Sequence, residues 1–558
     1  MSSLESVSKN NKIRDDKITD NKITQPSPIA DSSRSTRTTK SSYWDVIVIG
    51  SGNAALCSGL SALEQLKEKD RQTSPRVLML EAAPVTEMGG NSRYTAAALR
   101  FAYENQADVL RLLTDYADKD KLARTVFPRY DAKMFLSELV AINKGAGRRD
   151  LQELLVKRSY ETIAWLNDLG VVFEPIYKRQ AYEKEGRYYF WGGLVLATPR
   201  EGEGLVTKEL ALFKKLGGTI MYSARAARLL LDSSSTTSPR IDGVEIRRVV
   251  DGKEETLAVH GSAVILACGG FEANKNMRRT LMGPQWEHAI VRGTQYNRGD
   301  GITMVQEVGA ALIGKKEGCH ATFMDSNSPD FGLGVDHIDR KNFRKISYPF
   351  GIMLNAAGKR FVDEGADFRN YTYAKYGREL LNQPKHLAWQ LFDNQVTDLL
   401  YAEYRVSNAT FVTAATIEEL VSQLTDIDKE QALKTIEEYN KSIRTDVVFD
   451  PSLRDGKSTV GIYPAKSNWA LPLVKPPFLA FKVRCGITFT YYGVKVDVET
   501  RVLKKNDEVI AGLYACGEMI GGIFTHNYPG GSGLTAGAVF GKIAGATAAT
   551  YAISNRTQ

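Results

Sequence analysis

Four glycine turns carry polar residues at spacings that suit a long, flat, anionic ligand. The first, Gly50-Ser51-Gly52-Asn53-Ala54-Ala55, follows the apolar run Val46-Ile47-Val48-Ile49 and opens an alanine- and leucine-rich helical pattern. Gly50 permits a tight turn, Gly52 lets a pyrophosphate approach the backbone, and the small Ala55 lets helix and strand pack closely. The free N–H groups and positive dipole end of such a helix attract phosphate. The second turn, Gly89-Gly90-Asn91-Ser92-Arg93, sets paired glycines before an amide and a hydroxyl able to bond a ring edge. The third, Gly517-Glu518 with Gly521-Gly522 close behind, ends a short apolar strand. The fourth, Asn527-Tyr528-Pro529-Gly530-Gly531-Ser532-Gly533-Leu534, opens the last helical pattern. Its N–H groups suit the N1/O2 edge of a flavin, where negative charge collects on reduction.

The elements that hold these turns read as α/β. A second strand, Arg76-Val77-Leu78-Met79-Leu80, ends at Glu81, the acid expected to meet ribose hydroxyls. A polar insert over 67–75 lengthens the gap beyond the usual ~20 residues. Helical spacing marks 110–169, 204–216, 299–311, 417–424, 429–443 and 534–552. Strand patterns mark 219–222 and 226–231, and a hairpin is expected around Asp251-Gly252, with strands at 241–250 and 255–259. A separate buried strand is expected from Ser262 to Cys268, ending in Gly269-Gly270. The simplest architecture is one α/β domain interrupted by a second domain.

Composition bounds the rest. The 558 residues are 43% hydrophobic and 25% charged, with a net charge of +8, ordinary for a globular protein of two to four domains. No basic stripe interleaved with aromatics predicts nucleic-acid binding. No apolar run is long enough to predict a transmembrane helix. Residues 1–42 hold eight Lys/Arg against five Asp/Glu and few apolar groups, so they read as a disordered tail. Acids at Asp15, Asp16, Asp20 and Asp31 argue against a transit peptide. A cytoplasmic location is therefore expected, with mitochondrial import as the alternative. Cys57, Cys268, Cys319, Cys485 and Cys516 form no CxxC pair and no metal spacing, so no metal site and no disulfide is expected.

These turns, with Gly318-Cys319-His320-Ala321-Thr322, Gly358-Lys359-Arg360-Phe361-Val362-Asp363-Glu364 running on to Arg369-Asn370-Tyr371, Lys466-Ser467-Asn468-Trp469-Ala470 and Cys485-Gly486-Ile487-Thr488-Phe489-Thr490, resemble the fumarate reductase/succinate dehydrogenase flavoprotein superfamily. More narrowly, residues 43–551 are similar to the FAD-dependent tricarballylate dehydrogenases. The resemblance implies a Rossmann-like FAD-binding domain (43–317 and 486–552) interrupted by an α+β capping domain (318–485), with a short tail at 553–558. It implies that a substrate carbon gives a hydride to flavin N5 while its neighbour gives up a proton, which requires fixed cations, a base and exclusion of water.

Arg369 resembles the capping-domain arginine that shuttles the proton, although it follows Glu364 by five residues where soluble fumarate reductases have four. His320 matches the histidine that contacts a substrate carboxylate. Tyr528 stands where fumarate reductases have a carboxylate-gripping arginine, and Thr488 where they have a histidine. Both departures argue against fumarate or succinate. The catalytic set expected is thus Arg369, His320 and Tyr528, with Thr488, Arg93 and Arg100 as further substrate contacts. The expected FAD contacts are Gly50, Gly52, Asn53, Ala54, Ala55, Glu81, Ala82, Gly90, Asn91, Ser92, Thr95, Ala226, Ala267, Cys268, Gly269, Glu518, Gly533 and Leu534. No histidine falls near 93–95 to tether the flavin, so FAD is expected to bind non-covalently. With neither a haem CxxCH nor an iron–sulfur cysteine set, electrons are expected to pass to a separate acceptor. The favoured substrate is a carboxylic acid, tricarballylate with cis-aconitate as its unsaturated partner. Tyr528-Pro529-Gly530 motivates an alternative, a 3-ketosteroid 1,2-dehydrogenase. Fumarate reductase-like turnover and a flavin sensor without turnover are the remaining readings.

Overall fold

The computed structural model describes residues 43–232, 240–331, 343–406 and 409–556. The tail expected at 1–42 lies outside them. Strand β1 (Trp44–Ile49) leads through the first glycine turn into helix α1 (Asn53–Lys69) and strand β2 (Val77–Leu80). Every residue of β1 after Trp44 is buried, as a parallel strand covered on both faces requires. Strands β3 (Thr219–Met221), β4 (Arg225–Asp232), β5 (Arg240–Val250) and β6 (Lys253–Leu266) follow. The hairpin at Asp251-Gly252 forms, and β4, β5 and β6 run antiparallel. One expectation fails here. The hairpin's second strand and the buried strand expected from Ser262 are a single strand, β6. It pairs with β5 from Lys253 to His260 and with β1 from Gly261 to Leu266. Its first half, beginning Lys253-Glu254-Glu255, is half wet, and its last six residues are buried. One strand therefore shows two hydropathy patterns.

The chain then builds a second sheet from β7 (Ile290–Val291), β8 (Cys319–Asp325), β9 (Ile352–Asn355), β10 (Leu387–Phe392), β11 (Phe411–Ala414) and β12 (Phe478–Thr490), with helix α2 (Arg369–Leu381) between β9 and β10. β12 is the organiser: it pairs with β7, β8, β10 and β11, and β9 joins through β10. The boundary expected at 485/486 falls inside this strand. Helix α2 lies directly on β8. A Cβ on Gly377 would stand 2.5 Å from the Thr322 nitrogen, so only glycine allows the approach that brings α2 onto the strand carrying His320.

Strands β13 (Arg501–Leu503) and β14 (Val509–Ala515) and helix α3 (Ser532–Arg556) return to the first sheet. β14 pairs in parallel with β6, giving eight strands with the parallel inner order β3-β2-β1-β6-β14. Helix α3 runs past 552, where a tail was expected, because Ile553 still packs on the core. Gly537, Gly541 and Gly545 sit at four-residue spacing on one face of α3. A Cβ at 541 would stand 2.5 Å from the Ala54 carbonyl oxygen, and one at 545 would stand 2.1 Å from that of Ser58. That stripe lets α3 lie against α1. Among the described residues no helix is long and apolar enough to cross a membrane, and all five cysteines are free thiols.

Candidate functional site

The first glycine turn is locked by backbone crowding and by its neighbours. Gly50 holds φ +110°, and a Cβ there would lie 2.4 Å from the Ala267 oxygen, so no other residue fits. Ser51 Oγ accepts from the Gly89 amide at 2.9 Å and donates to the Glu81 carboxylate. The Asn53 amide donates to Ser92 Oγ at 3.0 Å, and Asn53 Nδ2 donates to the Leu534 carbonyl at 2.9 Å. Asn91 Nδ2 donates to the Thr488 carbonyl and to Glu272, both at 2.5 Å. Three of the four glycine turns are thereby tied to one another and to β12.

Two cavities open against this framework. One of about 110 Å³ is lined by Gly50, Gly52, Ala54, Glu81, Ala82, Gly90, Asn91, Ser92, Ala226, Ala267, Cys268, Gly269 and Glu518. A second of about 280 Å³ is lined by Asn53, Thr95, Gly533 and Leu534, and shares Ala54, Asn91, Ser92 and Glu518 with the first. Of the expected FAD contacts only Ala55 lines neither; it is buried in the core between helix and sheet. The pair of cavities suits an extended dinucleotide. Glycines meet it at the turn, Glu81 stands at the end of β2, and the N-terminus of α3 stands at the far end. Between them sit two acids, Glu272 fully buried and Glu518 half-buried. Burial raises the pKa of both Glu518 and Glu272; at Glu518 the Glu272 charge adds to it, and hydrogen bonds from Thr490 partly offset it.

The larger cavity also gathers His320, Arg369, Tyr528 and Thr488. β8 supplies His320, where a register shift against β12 follows it. The ring is 1% exposed and neither nitrogen has a hydrogen-bond partner. Burial, then the nearby Arg292 charge, holds its pKa well below the usual imidazole value, so it is neutral at pH 7. Tyr373 and Tyr528 flank the ring at centroid distances of 5.0 Å, and their hydroxyls bond each other at 2.7 Å. Thr488 Oγ1 is buried without a partner. Arg369 opens α2, with its guanidinium 4.5 Å from the Tyr401 ring centre and 3.2 Å from Asn370 Oδ1. No carboxylate pairs with it among the described residues.

Arg93 and Arg100, expected to touch substrate, are not brought to this cavity. Arg93 donates to the Thr86 and Met88 carbonyls at 2.7 and 3.3 Å. Arg100 is buried, donating to the Gly530 carbonyl at 2.8 Å, Tyr130 Oη at 2.9 Å and Glu138 at 2.8 Å. It braces the closing turn from behind. In their place the cavity holds Arg179, Arg292, Arg344 and Tyr373, which sequence reasoning missed. Tyr373 had a signal, since it lies one helical turn beyond Arg369. Arg292, between an apolar pair and Gly293, had a weak one. Arg179, on the helical turn Tyr177–Gln180, and Arg344, bridged to Met324, come from distant segments and had none.

The similarities to known proteins agree with this geometry. The chain is 26% identical to the NADH:acrylate oxidoreductase of Vibrio harveyi over 553 residues, covering 90% of this chain and 50% of that protein. It thus spans about half the length of that relative. It is 30% identical to the 3-oxosteroid 1-dehydrogenase of Mycolicibacterium smegmatis, over 57% of this chain and 58% of that protein. The open conformation of a flavocytochrome c3 fumarate reductase superposes with a TM-score of 0.66 at 22% identity, covering 92% of this chain and 79% of that one, a likeness of fold. Residues 45–534 match the FAD binding domain family, so this chain, with its mixed α/β fold and paired cavities behind the glycine turns, belongs to that family.

Proposed function

We propose that the protein is an FAD-dependent oxidoreductase that oxidises, or in reverse reduces, a C–C bond beside a carboxylate, with tricarballylate and cis-aconitate as the saturated and unsaturated partners. One observation carries this reading. The cavity that continues from the dinucleotide turn contains a neutral histidine with both nitrogens unpartnered and two arginines, Arg292 and Arg369, with no carboxylate partner among the described residues. Such a wall suits an acid and leaves a neutral ligand's surroundings unbalanced. In this reading residues 318–485 cap the substrate over the FAD-binding part.

Bound FAD supplies the hydride acceptor. The residues do the rest. His320 bonds the carboxylate oxygen nearest the reacting bond. Of the two phenols bonded as Tyr373–Tyr528, one keeps a hydroxyl proton to donate to the same group. The fixed guanidiniums stabilise the enolate-like charge that develops when the α-proton leaves. Arg369 carries that proton away in oxidation and returns it in reduction. Buried Phe524 and Tyr528, with half-buried Phe489, form walls that exclude water. Reducing equivalents leave to a separate acceptor.

The Tyr373–Tyr528 pair also supports a second reading, oxidation beside a ketone in a 3-ketosteroid, since a phenol can polarise a carbonyl. Anaerobic mixing of the FAD-loaded protein separates the two. Bleaching of the flavin band by tricarballylate is the expected result. Bleaching by 4-androstene-3,17-dione and not by tricarballylate would favour the second reading, and bleaching by neither would refute both.

A further inference from the structure

We infer that Gln180 is a positioning residue for Arg369: its side-chain amide holds that of Asn370, and Asn370 with the face of Tyr401 clamps the Arg369 guanidinium between two neutral groups. This rests on the proposed acid oxidation, in which Arg369 carries the proton, and it adds to that reaction a residue from the FAD-binding part.

Arg369 is held without a counter-charge. Its Nη2 donates to Asn370 Oδ1 at 3.2 Å, and the Tyr401 ring centre lies 4.5 Å from the guanidinium. A carboxylate in either place would also fix the side chain, but it would offset the charge that the substrate is to meet. An amide oxygen and an aromatic face set the direction of a guanidinium and leave its charge in place.

Asn370 is held in turn by Gln180. Asn370 Nδ2 donates to Gln180 Oε1 at 2.8 Å, and Gln180 Nε2 returns a bond to Asn370 Oδ1 at 3.3 Å. The Asn370 oxygen is thus shared between Gln180 and Arg369. Gln180 is 4% exposed and ends the helical turn Tyr177–Gln180. Its backbone is fixed on both sides. The amide donates to the Ile176 carbonyl at 3.0 Å, and the carbonyl accepts from the Trp191 amide at 3.0 Å. Gln180, Asn370 and Arg369 line the same cavity.

The amide pair is not needed to dock α2. The first turn of that helix is tied to the FAD-binding part by other bonds. Asn527 Nδ2 donates to the Tyr371 carbonyl at 3.0 Å, Tyr371 Oη donates to Glu138 at 2.7 Å, and the Tyr373 and Tyr528 hydroxyls bond at 2.7 Å. These keep the helix in place when the pair is lost. What the pair decides is where Asn370 Oδ1 stands, and through it where the guanidinium of Arg369 points. A reacting group displaced by about 1 Å loses as much as 10²-fold in rate.

The test is a double-mutant cycle on the FAD-loaded protein, read as the rate of anaerobic flavin bleaching at saturating tricarballylate. Gln180→Leu keeps the bulk and removes both amide bonds. It should slow bleaching about tenfold, with the tricarballylate Kd, taken from the concentration dependence, within about threefold of wild type. In the Arg369→Ala background the same change should cost less than about twofold. A merely structural role predicts the same loss in both backgrounds, so additive losses overturn the proposal, as does a loss below about twofold in Gln180→Leu alone. If Gln180→Leu does not retain FAD, Asn370→Ala breaks the same pair from the half-buried first turn of α2 and is judged by the same cycle. A second readout needs no turnover. Phenylglyoxal labelling of Arg369, followed by peptide mass spectrometry in the FAD-loaded, substrate-free protein, should be faster in Gln180→Leu than in wild type, with exposed Arg405 labelled equally in both. The two readings fail separately. Faster labelling of Arg369 with no bleaching by tricarballylate would leave the clamp standing and refute the oxidation. Bleaching by tricarballylate with additive losses and unchanged labelling would do the reverse.

Discussion

Replacing Arg100 with Met separates a substrate contact from a brace. The side chain is 3% exposed, and its partner Glu138 is 26% exposed. Arg100→Met strips the Gly530 carbonyl of its 2.8 Å donor and Tyr130 Oη of one at 2.9 Å, and it breaks the 2.8 Å pair with Glu138. Breaking a buried ion pair from one side costs about 3–5 kcal/mol. Glu138 keeps some access to water and a bond from Tyr371 Oη at 2.7 Å, so the cost belongs at the lower end, about 3 kcal/mol. Methionine refills the space left by the arginine stem, which limits any cavity cost. Because Gly530 and Gly531 begin the turn into α3, the FAD affinity should fall as well. Urea unfolding of the FAD-free protein measures the stability, flavin titration measures the cofactor affinity, and steady-state kinetics at saturating FAD measures KM. The expectation is a stability loss of about 3 kcal/mol, weaker FAD binding and an unchanged KM for the acid. A KM raised tenfold or more, with stability within about 0.5 kcal/mol of wild type, would refute the reasoning and return Arg100 to the substrate.

Three further outcomes are expected. Arg369→Ala should retain FAD and lose about 10³-fold in kcat, the middle of the range for a single proton-transfer group; near-normal turnover with FAD bound would remove Arg369 from the proton path. His320, buried neutral, binds its proton more readily in the unfolded chain, so between its lowered folded pKa and about 6.5 stability should fall with falling pH by about 1.4 kcal/mol per unit. Denaturation of His320→Gln beside the wild type from pH 7 to 5 reads this as a shallower slope in the variant, and parallel slopes would contradict it. Gly541→Val places a branched side chain where a Cβ already stands 2.5 Å from the Ala54 oxygen. It should cost about 3 kcal/mol and release FAD, and a wild-type melting temperature would show that α3 can lift off α1 cheaply.

The parts of this fold that could be read from sequence are those whose causes are local. Four β-branched residues running into Gly50 dictate a buried strand and a tight turn whatever lies elsewhere, and the cavity lining at that turn matches the expected residues almost without exception. The single strand Lys253–Leu266 reads as two in the sequence because burial changes midway along it: the outer half pairs only with its hairpin partner, while the inner half enters the parallel sheet. Arg93 and Arg100 neighbour a motif, which points them to the substrate on sequence grounds, but adjacency along the chain does not set the direction of a side chain. Both point into the framework behind the turns. Arg179, Arg292 and Arg344 were invisible for the opposite reason. They lie on segments far apart in the chain, and only the pairing of β7 with β12 and the packing of the segment after residue 342 and of the helical turn Tyr177–Gln180 bring them to one wall.

The close seating of α3 on α1 has a consequence for the chain as it is made. The helix after the first glycine turn leaves the ribosome long before its partner does. At about 5–20 residues per second, the intervening stretch takes on the order of a minute to synthesise. For that time the flank of α1 around Ala54, Cys57 and Ser58, which in the finished protein receives the stripe of Gly537, Gly541 and Gly545, has no cover, and the edge of β6 that takes β14 is open. A nascent chain halted before residue 509 would carry a complete phosphate-binding turn on an unfinished sheet. Chaperone capture should therefore be strongest for chains arrested between 300 and 509 and should end only when α3 has emerged.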